Sequence, residues 1–441
     1  MSVAQKINSI NADSGTLVPI ICAAMSLPIV MFSLMGYDIN PAFFLAPLIG
    51  IAFLMNFGRT ELAYIAAMVL GLVSIFAADK LSPDGEVVRH VLSLVLIMFA
   101  PSFLFLGKYI AKEHGVGKVF YWLSVFSALF LIVVTVRIFI LEQAVRIYVG
   151  PLDLAAMNAE FFGLPVFATF GVLSLAHLVC LQAMVLCGTL IGGQAGRPVS
   201  SVIWFALFCA TFLIIGSDSR SAQVLLVWIL GSVIIYAIRH AQARLMCGAA
   251  ILAMLLAFGV TYVRGMSESR LVTSIEVLSG YEEPGIAGAP SEAVEKAPAE
   301  KLVKKADQFA TGRIQLAVAG VNEVSESPII GNGFGGYGRY TAEGITPGLE
   351  ANSSTHVYYL TLLWKGGLIF FIPFVAMILL NLKDAVAGTK STTGSAERFF
   401  AWAAVLMAFG PMVMAWDILI VPSAGALAFF LFGMLAARKK A

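Results

Sequence analysis

The chain falls into apolar runs of about 17–25 residues, the length a helix needs to cross a bilayer, and its charges are bunched in the short stretches between them. No other feature narrows the choice of fold so far. Of 441 residues, 59% are hydrophobic and only 12% are charged, where a soluble globular chain carries roughly 25%. The mean hydropathy is +0.90. A water-soluble fold would leave most of these faces wet, so the sequence predicts an all-α polytopic membrane protein. A net charge of +2 is too small to suggest nucleic acid, and no like-charged block forms a basic arm.

About twelve transmembrane helices are expected, near 17–35, 41–57, 60–78, 88–107, 119–141, 161–190, 200–216, 220–238, 243–263, 356–381, 398–416 and 418–437. Only Asp417 separates the last two. No small-residue cleavage site follows the first run, which therefore reads as an uncleaved helix. The five cysteines (Cys22, Cys180, Cys187, Cys209 and Cys247) all fall inside these runs, a pattern of apolar packing and not of a disulfide or metal framework.

Lysine and arginine in the short loops set the orientation. With a cytoplasmic N-terminus, the inner loops hold Arg59, then Lys108, Lys112 and Lys118, then Arg197, Arg239 and Arg244, then Lys383, Lys390 and Arg398, with Arg438, Lys439 and Lys440 closing the chain. The outer connections hold none at 36–40 and only Lys80 at 78–86. Three regions follow: helices one to nine in 1–263, one long outer segment between spans nine and ten in 264–355, and helices ten to twelve in 356–441. Within the outer segment, 281–306 reads as a flexible Pro-, Ala-, Glu- and Lys-rich cover. Residues 307–325 carry apolar positions at helical spacing with Thr311 as a candidate N-cap, and 326–355 forms a Gly-rich loop.

Three outward features can carry chemistry. Arg220 opens span eight in "GSDSRSAQ", Arg313 stands in "TGRIQL", and His356 begins span ten in "NSSTHVYYL". Each also has a plain reading, as an interface anchor, a solvated helix residue or a helix cap. With Ser354 or Thr355 as cap, His356 lies in the first helical turn, where the helix dipole disfavours the imidazolium and leaves a base able to accept a proton. One helical face then carries His356, Leu360, Leu363 and Gly367, the glycine leaving room for a bulky neighbour. Arg137, inside the apolar run of span five, and Arg146 are possible secondary anion ligands. His177 reads as a helix-packing residue. Gly331, Gly333 and Gly336 match G-x-G-x-x-G without the strand–helix setting of a dinucleotide site; they read as a tight loop whose free N–H groups can line an anion site.

In this order, the S-x-S-R at 217–220, the "TGR" at 311–313, the "SPIIGNGFGGYG" at 327–338 and His356 followed eleven residues later by Gly367 resemble the O-antigen ligase and O-antigen polymerase superfamily of bacterial membrane proteins. The resemblance covers about 200–380. It departs from the family at Val357, where a polar residue usually follows the histidine, and at Phe370, where a small or hydroxylated one is common.

The resemblance implies an inverting, metal-independent glycosyltransferase of the membrane-embedded GT-C type, without a cofactor, in the bacterial inner membrane with both termini cytoplasmic and its site periplasmic. The donor would be a glycan on undecaprenyl diphosphate. The acceptor would be the core sugar of lipid A in a ligase, or another lipid-linked repeat unit in a polymerase; the long outer segment favours the ligase. Carried over, His356 would take the acceptor hydroxyl proton, and Arg220 and Arg313 would hold the diphosphate, whose oxygens suit guanidinium forks. A transporter of lipid-linked sugars is the rival. Transporters place their ionisable groups near the midplane of repeated halves, whereas here the charges gather at the outer ends.

Overall fold

The computed structural model describes residues 14–28, 32–34, 37–39, 41–77, 87–139, 157–161, 164–168, 171–193, 196–217, 219–263, 313–334, 355, 357–389, 395–415, 418–420 and 422–437. Helices lie in every one of the twelve expected runs: α1 Ser14–Ser26, α2 Ala46–Met55, α3 Arg59–Ala77, α4 Val87–His114, α5 Val116–Phe139, α6 Gly171–Gly192, α7 Arg197–Gly216, α8 Arg220–Arg239, α9 Arg244–Val263, α11 Tyr358–Thr389, α12 Ala396–Met407 and α13 Pro422–Leu435. Between α9 and α11 stands α10, Arg313–Glu326. Residues 281–306 lie outside the described residues.

Seven helices among the described residues are long and apolar enough to cross a membrane, within α3, α4, α5, α7, α8, α9 and α11. The shorter apolar helices have local causes. Pro28 follows the end of α1, and its ring disfavours helix in the residue before it; the expected run to residue 35 instead enters a hairpin, β1 Phe32–Leu34 with β2 Tyr37–Ile39. The expected start of span six is likewise a hairpin, β3 Met157–Phe161 with β4 Leu164–Ala168. Among the described residues, these two small sheets are additions to helical elements. α12 passes through a π-turn at Ala408–Met412, which contains Pro411.

The centre of the bundle is α13, apolar on every side and buried from Ala424 to Ala437, as a helix enclosed by others must be. It lies against α4 so closely that a Cβ at Gly107 would run into the Phe430 carbonyl and one at Gly433 into that of Leu104. Small residues permit this approach where no hydrophobic force drives helices together. Polar side chains tie other neighbours: Gln182 donates to the Ser26 carbonyl at 2.8 Å, and the Ser124 and Thr189 hydroxyls share a 2.7 Å bond. The outer faces are apolar. On α3, Leu62, Ile65, Val69, Val73 and Phe76 are exposed at intervals of three or four residues, a stripe suited to lipid. All five cysteines are buried and free.

Candidate functional site: a broken helix locked by the glycine loop

α11 is not continuous. At Gly367 the backbone turns to φ 60°, ψ −175°, a region open essentially to glycine alone. In an unbroken helix the Leu368 and Ile369 N–H groups would bond to the Trp364 and Lys365 carbonyls four residues back. Here they donate instead to the Pro328 and Ile329 carbonyls, at 2.9 and 3.1 Å. The vacated Trp364 and Lys365 carbonyls accept from the N–H groups of Asn332, at 3.0 Å, and Gly333, at 2.9 Å. Two ladder bonds are exchanged for four bonds to a loop distant in sequence. The exchange leaves no backbone group orphaned, the condition under which irregular backbone survives at membrane depth.

The loop is shaped for the insertion. Gly331 and Gly333 take φ of 80° and 85°, and a Cβ at Gly331 would collide with the backbone around Lys365 and Gly367. The Ser327 hydroxyl donates to the Gly331 carbonyl at 3.0 Å, and Ser74 of α3 donates to that of Ile330 at 2.5 Å. Phe334 is buried edge-on against Phe370, with ring centres 4.9 Å apart. That contact supplies a local reason for an aromatic residue at 370.

α10 lies across the start of α11. Gly320 faces Thr355 and Leu360, and Glu323 Oε2 accepts the Trp364 indole N–H at 2.8 Å. The first helical residue of α11 is Tyr358. Thr355 is fully buried, its hydroxyl 2.8 Å from that of Thr361 and accepting the Val357 N–H at 3.3 Å. Lys365, a cation within a candidate membrane span, is fully buried, its Nζ 5.0 Å from the Trp364 ring centre.

α8 begins at Arg220 after Ser219, whose side chain accepts the Ala222 N–H. Ser217 and Ser219 are both buried, and Gln223 donates to the Ile215 carbonyl at 3.0 Å. α8 runs antiparallel to α12: the Tyr236 ring packs at a tilt against Phe399 and Phe400, while the Trp228 indole donates to the Ala403 carbonyl at 3.1 Å. Eight residues back from Trp228 is roughly 12 Å along α8, and six residues on from Ala403 is under about 9 Å along α12 and into its π-turn. Arg220 and Phe409 therefore stand at similar depth, and the Phe409 carbonyl accepts from Tyr359 at 3.1 Å. The starts of α8 and α11 thus lie toward the same end of the bundle, and α10 packs on the start of α11.

The expected site residues stand as follows. Arg220 and Arg313 are the first residues of α8 and α10, and Arg137 falls in the last turn of α5; the side chains of all three, and the whole of Arg146 and His356, lie outside the described residues. Of the glycines expected to line an anion site, Gly331 and Gly333 are described and Gly336 lies outside the described residues. The N–H groups of Gly331, Asn332 and Gly333 all bond to backbone carbonyls and have no donor left for an anion. Gly367 does give a neighbour room, as its spacing suggested, but the neighbour is backbone. Sequence reasoning missed Lys365 and the Glu323–Trp364 pair. A lysine inside an apolar run was the available signal for the first; nothing local marks the second.

Residues 205–375, from within α7 into α11, match the family described as O-antigen ligase. No curated protein matches the chain.

Proposed function

On the premise that this chain belongs to the O-antigen ligase family through residues 205–375, we propose that it is an inverting, metal-independent glycosyltransferase that moves a glycan from undecaprenyl diphosphate to the core sugar of lipid A at the periplasmic face. His356 takes the proton of the acceptor hydroxyl as its oxygen attacks the anomeric carbon. The bond from that carbon to the diphosphate oxygen breaks, and the leaving group departs with the bonding pair. Arg220 and Arg313 carry the charge that develops on it; in a site shielded from water such preorganised cations contribute strongly. One attack from the face opposite the leaving group inverts the anomeric centre.

The observation that supports this reading best is that α8, which Arg220 opens, and α11, which follows position 356 in the chain, start toward the same end of the bundle, with α10, which Arg313 opens, packed on the start of α11. The family match covers the same three starts. The test is reconstitution with a lipid-linked glycan and two acceptors, lipid A-core and a second lipid-linked repeat unit. Glycosylated lipid A-core is expected, and extension of the repeat unit alone would make the protein a polymerase. Arg220→Ala, Arg313→Ala and His356→Ala should each insert normally and lower transfer by about 100-fold or more. Normal transfer by any of them removes that residue from the mechanism.

A further inference from the structure

The other end of the bundle carries a polar cleft. Asn56, Lys108, Lys112, Asp384, Ala436 and Ala437 line a space of about 250 Å³. Ser74, the residue that holds the glycine loop, stands fifteen positions after Arg59, roughly 22 Å along α3, and Asn56 lies in the turn just before that helix. The cleft and the locked helix break therefore stand toward opposite ends of the bundle.

Lys108 and Lys112 are one helical turn apart on α4, on a shared face. Lys108 Nζ lies 3.6 Å from Asp384 Oδ2, and Lys112 Nζ lies 3.5 Å from Asn56 Oδ1. Both contacts are long beside the 2.7–2.9 Å typical of charge-assisted bonds. An ammonium has three protons to donate, so each lysine keeps donors for a shared acceptor. Two cations against one carboxylate leave the lining itself at +1, with the Glu61 carboxyl buried behind it and close enough to act on Lys108 and Asp384. The rim is apolar: Leu54, Met55 and Phe57 are 74%, 53% and 53% exposed on either side of Asn56, and Leu62 begins the exposed stripe of α3. A soluble phosphate would use only the cleft. An amphiphile would use both surfaces.

We propose that this cleft binds the phosphate of an anionic phospholipid from the leaflet it faces, between Lys108 and Lys112, with the acyl chains lying along the exposed apolar face of α2 and α3. Basic recesses between helix ends are suited to such headgroups. Asp384 limits the affinity, because it draws Lys108 and lowers the local charge.

The experiment measures thermal unfolding of the delipidated full chain in detergent titrated with phosphatidylglycerol, phosphatidylcholine or free glycerol phosphate. Phosphatidylglycerol alone should raise Tm. The Lys108→Gln/Lys112→Gln variant should need about ten-fold more of it, or higher, whereas Asp384→Asn should need several-fold less, even if its own Tm without lipid is lower. A role confined to the Lys108–Asp384 ion pair would weaken both variants alike and overturn the proposal. So would equal shifts from phosphatidylcholine, or saturation by glycerol phosphate. With roughly 22 Å of α3 between the two ends, none of these outcomes bears on glycan transfer.

Discussion

Glycines bring backbone against backbone at two places, and the two contacts are built differently. Between α4 and α13, Gly107 and Gly433 let two continuous helices approach until carbonyls occupy the room a Cβ would need; no hydrogen bond changes partner. Between the glycine loop and α11, Gly331 and Gly367 permit an exchange of ladder bonds for loop bonds. The first contact is packing. The second makes the path of a membrane helix depend on a loop that also leads from α10, where Arg313 stands, toward position 356. Stability should be the chief dependant of the first contact, and catalysis of the second.

The hardest test of this contrast is also the most destructive. Gly107→Ala with Gly433→Ala places two methyl groups on backbone carbonyls, and overpacking of that kind costs about 1–3 kcal/mol per site. A marked loss of folded protein is expected, while molecules that fold should transfer glycan at the normal rate. Tm and specific activity, measured on the same preparation, separate the two effects. Gly367→Ala comes next. It forces an alanine into a glycine-only conformation, at about 1–3 kcal/mol, and drives its Cβ toward the Ile329 carbonyl. Specific activity should fall about ten-fold or more, as small misplacements at a reacting centre do. If both variants lose Tm and specific activity in the same proportion, the two contacts are not different in kind.

How much of this was written legibly in the chain depends on the range of the interaction. Apolar runs are local, and helices lie in all twelve of them; Arg220 was rightly read as opening a helix. Lengths were less legible, because a proline such as Pro28 or a short hairpin can shorten a run whose hydropathy continues. The break at Gly367 was hidden for a different reason. A Gly-Gly pair in an apolar run has the same composition whether it admits a neighbouring side chain or yields its ladder bonds to a loop more than thirty residues upstream. Similarly, loop glycines with free N–H groups look like an anion cradle until the carbonyls they meet are known. Lys365 was visible as a charge in an apolar stretch, but its burial beside Trp364 is a matter of packing that the stretch does not show.

A milder variant sharpens the contrast without breaking either contact. The Glu323 carboxylate holds the Trp364 indole one residue before the exchanged Lys365 carbonyl. Glu323→Gln keeps an acceptor but removes the charge, which should cost about 1 kcal/mol. Trp364→Phe removes the donor. A double-mutant cycle should give a coupling energy of about 0.5–1.5 kcal/mol, since the two residues touch, and should lower transfer only a few-fold. Additive effects would show that α10 is not tied to α11 through this pair.

The smallest expected effect is the most discriminating. Ser74 reaches from α3 to the Ile330 carbonyl, so it secures the loop from outside without belonging to α10, α11 or the exchanged bonds. Ser74→Ala removes one neutral hydrogen bond, about 1 kcal/mol, and leaves the Ile330 carbonyl short of a partner. If the four exchanged bonds alone hold the loop, Tm falls slightly and transfer is unchanged. If the loop needs α3 as a third support, transfer falls further than that stability loss accounts for, and Ser74→Thr, which keeps the hydroxyl, restores it. The second outcome is expected. Gly331 and Gly333 make the loop easy to bend, and a segment that must stay inserted in a broken helix gains most from an anchor on a rigid neighbour.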